Sequence, residues 1–402
     1  MDLMQGLLVL PLVITLVSSE PTSGQGVVHN FAVDLFKSVN KITDQGRTDK
    51  NVALSPFSAK AALAMVFVGA NGTTRSEIGS ALGVADEPIS VLALKLKSIN
   101  AESQDYVLQS ANGIFLEKTY EILPKFRSSV TDDFGANIST VDFVKQADQS
   151  RVQINSFVAE KTDNKIRDLF PVRSLDSDTR LVLVNAVYFK AQWANQFDKN
   201  ATSLQPFTLV NNQTKQVPLM ALPKTRLPYA QCEELGGAQL VELNYVGSTT
   251  SMVVILPEEQ SDLAKLEKLL TAETLNSSLT QLDDSSRTFV LMFLPKFTIS
   301  TEYDLIEPLK ELGVNAAFGH ADLSGISGKK DLMISKIVQK VFVTVDEEGT
   351  AAAAATAVVS KQRRIIPTVS VRADRPFLFL IRHKPTNSIL FLGRITDPPL
   401  GN

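Results

Sequence analysis

The chain has 402 residues, of which 44% are hydrophobic and 21% charged, and its 40 lysines and arginines nearly balance its 43 aspartates and glutamates. A charge balance this close to neutral argues against nucleic acid as the main partner. Ordinary numbers of glycine (20) and proline (18) exclude a collagen-like or linker-dominated architecture. Cys232 is the only cysteine, which excludes an intrachain disulfide and a multi-cysteine metal site. The length suggests two domains or more, but no linker-like stretch or internal repeat divides the chain, which favours one large domain.

An apolar stretch near the N-terminus has the length of the hydrophobic region of a signal peptide. It runs GLLVLPLVITLV from Gly6 to Val17, too short to span a bilayer comfortably, and small residues follow it. We therefore expect residues 1–19 to be a signal peptide and residues 20–402 to be one secreted, extracellular domain without a membrane anchor. Asp2 departs from the pattern, since a lysine or arginine is usual there. A buried N-terminal helix or strand is the alternative.

Five Asn-x-Ser/Thr sequons agree with passage through the secretory pathway. They begin at Asn71, Asn137, Asn200, Asn212 and Asn276. An asparagine that caps a helix or forms a turn is the alternative explanation for each of them. In that oxidising compartment Cys232 would be a free thiol, an intermolecular partner or an inert buried side chain.

Apolar periodicity predicts helices first and strands later in the chain. Apolar residues recur at helical spacing from Val28 to Val39, and an Ala-rich apolar segment from Ser55 to Gly72 predicts a buried helix. Short runs rich in β-branched or aromatic residues predict largely buried strands at 181–189, 251–256 and 289–294, and the pattern at 336–345 predicts a further strand. Two more, 376–383 and 388–395, flank a Lys-Pro-Thr-Asn turn and predict a hairpin. Without a βαβ rhythm, this order predicts an α+β fold with helices stacked on mainly antiparallel sheet.

The segment after residue 345 does not have the composition of a buried core segment. An acidic pair precedes Gly349, whose backbone tolerates dihedral angles that other residues resist, and Thr350 and five alanines follow. If this run entered a sheet, alternate residues from Thr350 to Thr356 would face one side and be buried without displacing core side chains. An Ala-rich helix or spacer is the alternative, because alanine is the best helix former.

A basic cluster, Lys361-Gln362-Arg363-Arg364, follows the alanine run. Such a cluster is commonly a solvated loop. In an extended, exposed loop, however, an arginine is the residue that a trypsin-like protease accepts, because the specificity pocket of such a protease carries a buried aspartate.

Over residues 27–398 the chain resembles the serpin family. The motifs that carry the resemblance occur in the family's order and spacing: NVALSP at 51–56, LVNAVYF at 183–189 with Trp193, LPKF at 294–297, residues 346–355, RPF at 375–377 and FLGR at 391–394. The resemblance implies three β-sheets, about nine helices and an exposed reactive loop at about residues 346–374. It implies a loop hinge formed by Glu347, Gly349 and Thr350, and an inserting part formed by Ala351, Ala352, Ala353, Ala354 and Ala355.

The resemblance also implies a region in which the main sheet opens. Ser55, Ser58 and Asn185 line it, and Trp193 lies near the point where insertion starts. Gln339 departs from the family, because many members have a histidine there, so we expect an amide to complete the hydrogen-bonded network. Counted from the hinge at the spacing usual in the family, the resemblance implies a reactive bond between Arg363 and Arg364, and Arg364 followed by Ile365 is the main rival.

The function that the resemblance implies is suicide inhibition of a trypsin-like serine protease through a covalent complex, by a protein acting as a monomer. The alternative is a non-inhibitory member of the family that acts as a carrier or chaperone. The three histidines, His29, His320 and His383, lie in no zinc-binding pattern, and no nucleophile elbow or phosphate-binding loop is present, so we predict no catalytic residues, metal or cofactor. Residues 89–100 hold only two lysines, Lys95 and Lys97, two positions apart, which disfavours glycosaminoglycan binding.

Overall fold

The computed structural model describes residues 25–44, 49–84, 89–100, 106–258, 263–348 and 367–399. Its α-helices are α1 Gln25–Asp44, α2 Pro56–Gly69, α3 Gly72–Leu82, α4 Ile89–Asn100, α5 Pro124–Ser128, α6 Phe143–Lys161, α7 Leu263–Leu269, α8 Ala272–Asp284, α9 Ile306–Glu311 and α10 Ser324–Ser327. Its strands are β1 Val52–Leu54, β2 Tyr106–Glu117, β3 Asn137–Val141, β4 Leu181–Ala191, β5 Ser203–Thr208, β6 Thr214–Leu227, β7 Tyr229–Cys232, β8 Ala238–Asn244, β9 Thr250–Leu256, β10 Thr288–Pro295, β11 Phe297–Asp304, β12 Lys336–Val345, β13 Thr368–Arg372, β14 Phe377–His383 and β15 Ser388–Ile395.

The strands form three sheets. A five-stranded sheet has the order β11-β12-β4-β2-β3, a six-stranded sheet the order β1-β15-β14-β9-β8-β7, and a four-stranded sheet the order β13-β10-β6-β5. Neighbouring strands are antiparallel except in the pairs β4–β12, β2–β3 and β10–β13. The predicted α+β fold with mainly antiparallel sheet is confirmed, and the described residues contain ten α-helices where about nine were expected.

The predicted strands are each present within a few residues of their expected ends. The run predicted at 181–189 is β4, which continues to Ala191, and the run at 336–345 is β12. The predicted hairpin is β14 and β15, which pair antiparallel from Phe377 to His383. Its turn closes at Asn387, whose φ of 49° is a left-handed conformation that asparagine tolerates better than most residues.

Helix α2 forms the packing centre between two of the sheets. Ser55 caps it, since the Ser55 Oγ accepts a bond from the Ser58 backbone N–H at 3.3 Å, and Pro56 occupies the first turn, where it breaks no helical bond. Nearly all of its side chains are buried, as expected for a helix that is apolar on most sides. It contacts β15 of the six-stranded sheet and β2 and β4 of the five-stranded sheet.

The opposite face of the five-stranded sheet is covered by α6. Side chains of β2 and β4 on this face, such as Phe115 and Val184, form a second buried cluster with Phe143, Ile154 and Val158 of α6. The five-stranded sheet is therefore enclosed on both sides, α2 and the main core on one face and α6 on the other. No described helix has the length and apolar character needed to cross a membrane.

Candidate functional site

Three amide side chains form a row across the middle of the five-stranded sheet. Asn185 on β4 lies directly opposite Asn112 on β2 and directly opposite Gln339 on β12. Because strand residues alternate between faces, residues in register share one face, and here it is the face towards α2. Asn185 and Gln339 are fully buried, so their polar groups need partners within the protein.

The amides find those partners in one another and in the start of α2. The Gln339 side chain accepts a bond from the Ser55 N–H at 2.9 Å and donates to the Ser55 carbonyl at 2.9 Å and to the Asn185 Oδ1 at 2.6 Å. The Asn185 Nδ2 donates to the Ser58 carbonyl at 3.1 Å, to the Ser58 Oγ and to the Asn112 Oδ1 at 2.6 Å. We call Ser55, Ser58, Asn112, Asn185 and Gln339 the amide cluster.

The amide cluster brings together four residues that the sequence assigned to the sheet-opening region, namely Ser55, Ser58, Asn185 and Gln339. The amide expected at Gln339 does complete the network. Asn112 was missed, because its strand has no motif of its own and its place depends on the register of β2 against β4. The cluster connects β12, β4 and β2 to the start of α2, and the Gln339–Asn185 bond, which runs directly from β12 to β4, would be lost if these two strands separated.

Trp193 lies two residues after β4, at the same end of the five-stranded sheet as the C-terminal end of β12. Its indole Nε1 donates to the Asp346 carbonyl at 2.8 Å, and its backbone N–H donates to the Glu348 carbonyl at 3.2 Å. The ring is 3% exposed and is stacked on Tyr245, with ring centres 4.4 Å apart. A third bond runs from the Phe197 N–H to the Glu347 carbonyl at 3.0 Å. The segment after β4 therefore anchors three consecutive residues after β12.

Two ion pairs reinforce this anchor. The Glu347 carboxylate is 2.8 Å from the Lys296 Nζ, and Glu348 pairs with Lys199. Burial acts to raise the pKa of Glu347, but the hydrogen bonds that it accepts, that from Lys296 foremost, outweigh burial and hold the pKa below its ordinary value. Glu347 is 5% exposed, so the carboxylate stays charged where few water molecules reach it.

The rest of the predicted loop lies outside the described residues. This holds for Gly349, Thr350, the alanines 351–355 and both arginines of the predicted reactive bond, Arg363 and Arg364. The structure gives the two ends of the segment. Glu348, the last described residue before it, lies three residues after β12 of the five-stranded sheet, and the described residues resume at Pro367, just before β13 of the four-stranded sheet. The segment therefore joins two sheets.

The five sequon asparagines lie at the surface in different local structures. Asn71, Asn200 and Asn212 are exposed, whereas Asn137 and Asn276 are partly exposed. Asn71 occupies the N-cap position of α3, and Asn212 adopts a φ of 64° in the turn between β5 and β6. The Asn137 Nδ2 donates to the Ser139 Oγ of its own sequon at 3.0 Å. The Asn71 side chain makes no capping bond and instead donates from Nδ2 to the Ser324 Oγ at 3.1 Å, so local structure accounts for Asn212 and Asn137 without a glycan.

Cys232 and His383 have structural surroundings. Cys232 is 1% exposed and its Sγ is 3.1 Å from the Gln281 Oε1; burial raises the pKa of the thiol, which keeps it protonated and inert. His383 is 8% exposed, bonds Thr386 through Nδ1 at 2.8 Å, and has a pKa lowered by burial, which keeps its ring neutral. Within the described ranges no three His, Cys, Asp or Glu side chains form a group that would hold a metal ion.

Comparison with known proteins gives the same result at three levels. A family model described as Serpin (serine protease inhibitor) matches residues 27–398. Leukocyte elastase inhibitor of Sus scrofa is 41% identical over 92% of this chain and 97% of its own length, and Serpin B6 of Macaca fascicularis is 41% identical with the same coverage. The crystal structure of uncleaved ovalbumin superimposes with a TM-score of 0.83 at 30% identity, over 93% of this chain and 99% of ovalbumin.

The predicted secretion is wrong by this comparison. Leukocyte elastase inhibitor and Serpin B6 are intracellular proteins that lack a signal peptide. An apolar stretch the length of a signal-peptide core is a local feature that other N-terminal segments share, and residues 1–24 lie outside the described residues. Without passage through the secretory pathway, the five sequons are no longer supported as glycosylation sites.

Proposed function

The chain belongs to the serpin family of serine protease inhibitors, and from this we propose that it is a suicide inhibitor of trypsin-like proteases with Arg363-Arg364 as its reactive bond. The observation that carries the proposal is the pairing of β4 with β12. These two strands are parallel over eight residue pairs, from Lys336 opposite Val182 to Val343 opposite Phe189. The predicted loop, at about residues 346–374, begins directly after β12.

Insertion of the loop as a new strand between β4 and β12 would improve the pairing of the five-stranded sheet. A segment that turns back after β12 runs antiparallel to β12 and therefore antiparallel to β4 as well. One parallel ladder would be replaced by two antiparallel ladders, and antiparallel pairing is slightly more stable for each residue. The eleven residues from Thr350 to Ser360 would gain bonds of about 0.5 to 1.5 kcal/mol net each, roughly 5 to 15 kcal/mol together.

The side chains of the segment suit this insertion. Thr350, Ala352, Ala354 and Thr356 alternate along the chain and would face one side of the sheet together. All four are small enough to be buried without displacing the apolar side chains around β4 and β12. A bulky or charged residue at one of these positions would oppose insertion by overpacking or by desolvation.

In the proposed mechanism the protease carries out the chemistry. Its serine hydroxyl attacks the Arg363 carbonyl, the bond to the Arg364 nitrogen breaks, and an ester joins the serine to Arg363 while Arg364 becomes a new amino terminus. Water would then hydrolyse the ester. Insertion of residues 350–360 moves the attached protease and distorts its active site before hydrolysis takes place, so the covalent complex persists.

Cleavage by trypsin tests the register of the reactive bond. N-terminal sequencing of the released C-terminal fragment is expected to start at Arg364, and Arg363→Ala is expected to abolish inhibition of trypsin. A fragment that starts at Ile365 would move the reactive residue to Arg364. The matched control is Arg364→Ala, which should retain inhibition if Arg363 is the reactive residue.

The relatives supply a second candidate for the target protease. The Sus scrofa relative is named an elastase inhibitor, and elastase has a small apolar specificity pocket that does not accept arginine. Arg363 favours a trypsin-like target in this chain. Second-order rate constants against trypsin, thrombin, plasmin, chymotrypsin and leukocyte elastase distinguish the two candidates. Inhibition of elastase faster than trypsin would overturn the trypsin-like proposal and leave the inhibitory mechanism standing.

A non-inhibitory carrier or chaperone is the remaining alternative. The small residues from Thr350 to Ala355 favour inhibition, because they leave insertion unobstructed. The two functions differ in one product, a covalent complex that survives denaturing gel electrophoresis. If every protease of the panel cleaves the loop and none is retained in a complex, the inhibitory proposal fails.

A further inference from the structure

The outer face of the four-stranded sheet carries an aromatic ridge flanked by cations. Along β10 the residues Val290, Met292 and Leu294 are fully buried, whereas Phe289, Leu291 and Phe293 alternate with them and are partly exposed. The Lys224 Nζ lies 4.9 Å and the Arg226 guanidinium 4.8 Å from the centre of the Phe289 ring, and the Arg372 guanidinium lies 4.8 Å from the centre of the Phe293 ring. We call Lys224, Arg226, Phe289, Phe293 and Arg372 the basic patch.

The cations of the basic patch differ in how their charge is balanced. Arg372 forms an ion pair with Asp374 at 2.8 Å and donates to Gln205, so its charge is compensated within the protein. Arg226 is exposed and pairs with no carboxylate among the described residues. Stacking on Phe289 holds the Arg226 side chain against the sheet and so reduces the conformational entropy that it would lose on binding a partner.

The basic patch lies beside the C-terminal base of the predicted loop. Phe289 is directly opposite Thr368, the first residue of β13. Arg364 precedes Thr368 by four residues, and a chain of four residues spans about 14 Å at most. A protease in a complex of standard size covers about 800 Å² of its partner, which corresponds to a disc of about 16 Å radius. A protease with its active site at Arg363 or Arg364 would therefore overlie or border the end of the basic patch at Phe289, where Lys224 and Arg226 lie.

We propose that the basic patch is a secondary docking surface that selects, among proteases cleaving after arginine, those with an acidic surface beside the active site. This inference rests on the proposed function, because it places the protease over Arg363-Arg364. Cations at the rim of an interface act mainly on the association rate and on its dependence on salt. The loop thus determines the residue after which cleavage occurs, and the basic patch determines which proteases associate fastest.

Anionic and cationic trypsin provide a matched pair of probes, since both cleave after arginine and differ in surface charge. We expect the double variant Lys224→Ser/Arg226→Ser to react about 3- to 10-fold more slowly with anionic trypsin at about 0.05 M salt and with little change at about 0.5 M salt. With cationic trypsin the double variant should react at the wild-type rate or faster. Lys224→Glu/Arg226→Glu should enlarge both differences.

The control variant is Lys329→Ser. Lys329 also lies over an aromatic ring, 5.3 Å from the centre of Tyr120. Tyr120 follows the end of β2 that pairs with the start of β4. This is the opposite end of the five-stranded sheet from Glu348, and so it is remote from the predicted loop. Loss of Lys329 should leave both rates unchanged. Equal effects of Lys224→Ser/Arg226→Ser on the two trypsins, or no effect on either, would overturn the proposal. If the wild-type chain binds heparin and Lys224→Ser/Arg226→Ser removes that binding while both rates stay unchanged, the partner of the basic patch is a polyanion and the proposal is likewise overturned.

Binding to anhydrotrypsin separates this inference from the proposed function. Anhydrotrypsin lacks the serine hydroxyl, so it docks on the loop without being trapped. If the wild-type chain forms no covalent complex with active trypsin, the proposed function fails. The basic patch is still supported if Lys224→Ser/Arg226→Ser weakens binding to anionic anhydrotrypsin alone, and it is refuted if binding is unchanged.

Discussion

Asn185 uses both ends of its amide to connect three elements. Its Nδ2 donates to Ser58 of α2 and to Asn112 of β2, and its Oδ1 accepts from Gln339 of β12. Removing the amide leaves buried groups on its neighbours without their partner, which costs more than the bonds themselves contribute. We expect Asn185→Ala to lower the free energy of unfolding by about 2 to 4 kcal/mol, measured from the first transition in urea.

Asn112→Ala is the matched control for Asn185→Ala. Asn112 belongs to the same row of amides but is only partly buried, so water reaches the groups that its removal uncovers. We expect a loss of about 1 kcal/mol. A loss at Asn112 that equals or exceeds the loss at Asn185 would contradict the assignment of Asn185 as the centre of the amide cluster.

Glu347 gives the anchor after β12 a dependence on pH. Its pKa is lower in the folded protein than its ordinary value of 4.5, so the stability that it contributes is complete above that value and is lost as the pH falls through the folded pKa. Lys296 is 41% exposed, so solvent screens the pair and we expect Glu347→Gln to cost about 1 kcal/mol at pH 7. Urea unfolding of wild type and variant from pH 7 to pH 3 should show the difference shrinking below pH 4.5.

The comparison residue for Glu347 is Glu302, whose pair with Lys340 lies on the surface. The two are 3.0 Å apart and Glu302 is 38% exposed, so Glu302→Gln should cost less than about 0.5 kcal/mol. A constant difference between wild type and Glu347→Gln across the acid range would exclude the carboxylate charge as the source of the stability.

At the scale of elements, close approach of β15 to its neighbours requires a glycine. A Cβ atom on Gly393 would lie 2.4 Å from the Val52 carbonyl oxygen of β1 and 2.7 Å from the Phe379 ring of β14. The first of these is backbone and cannot move aside without breaking the β1–β15 ladder. We expect Gly393→Ala to destabilise the protein by about 3 kcal/mol or more, measured by urea unfolding.

Gly113 provides the comparison for Gly393. A Cβ on Gly113 would meet the rings of Phe115 and Phe157 at 3.0 and 3.1 Å. Both neighbours are side chains that adjust by a few tenths of an ångström, so Gly113→Ala should cost about 1 kcal/mol. If the two variants lose equal stability, contact with backbone is not what distinguishes Gly393.

At the scale of the whole molecule, cleavage of the loop is expected to stabilise the protein. A gain of roughly 5 to 15 kcal/mol from a new strand, divided by an unfolding entropy of about 0.84 kcal/mol per kelvin for 402 residues, raises the melting temperature by about 6 to 18 °C. Calorimetry before and after nicking by trypsin measures the change. A cleaved chain with an unchanged melting temperature would exclude insertion.

Thr350→Arg tests loop insertion by opposing it. A guanidinium on the buried side of the inserting strand would have to be desolvated without a partner. We expect the variant to be cleaved by trypsin as a substrate, with little covalent complex and a smaller rise in melting temperature on cleavage. Thr350→Ser, which keeps the residue small, is the control and should form the complex at the wild-type yield.

Local patterns in the sequence were sufficient for the elements and much of the candidate site. Hydrophobic periodicity depends on residues a few positions apart, so it predicted α1, α2 and the buried strands, and the serpin motifs placed Ser55, Ser58, Asn185 and Gln339 in one region. The same local reasoning misled at the N-terminus, where an apolar stretch suggested secretion that the intracellular relatives contradict.

By itself, the sequence determined the fold class, the family and the composition of the loop that would enter the sheet. Tertiary structure alone placed Asn112 beside Asn185, Lys296 beside Glu347, and Arg226 over Phe289. Each of these pairs joins residues at least 51 positions apart, and the register of neighbouring strands or the docking of a loop decides which side chains meet. A one-residue shift of β2 would turn Asn112 to the opposite face of the sheet, and no pattern within β2 alone specifies that register.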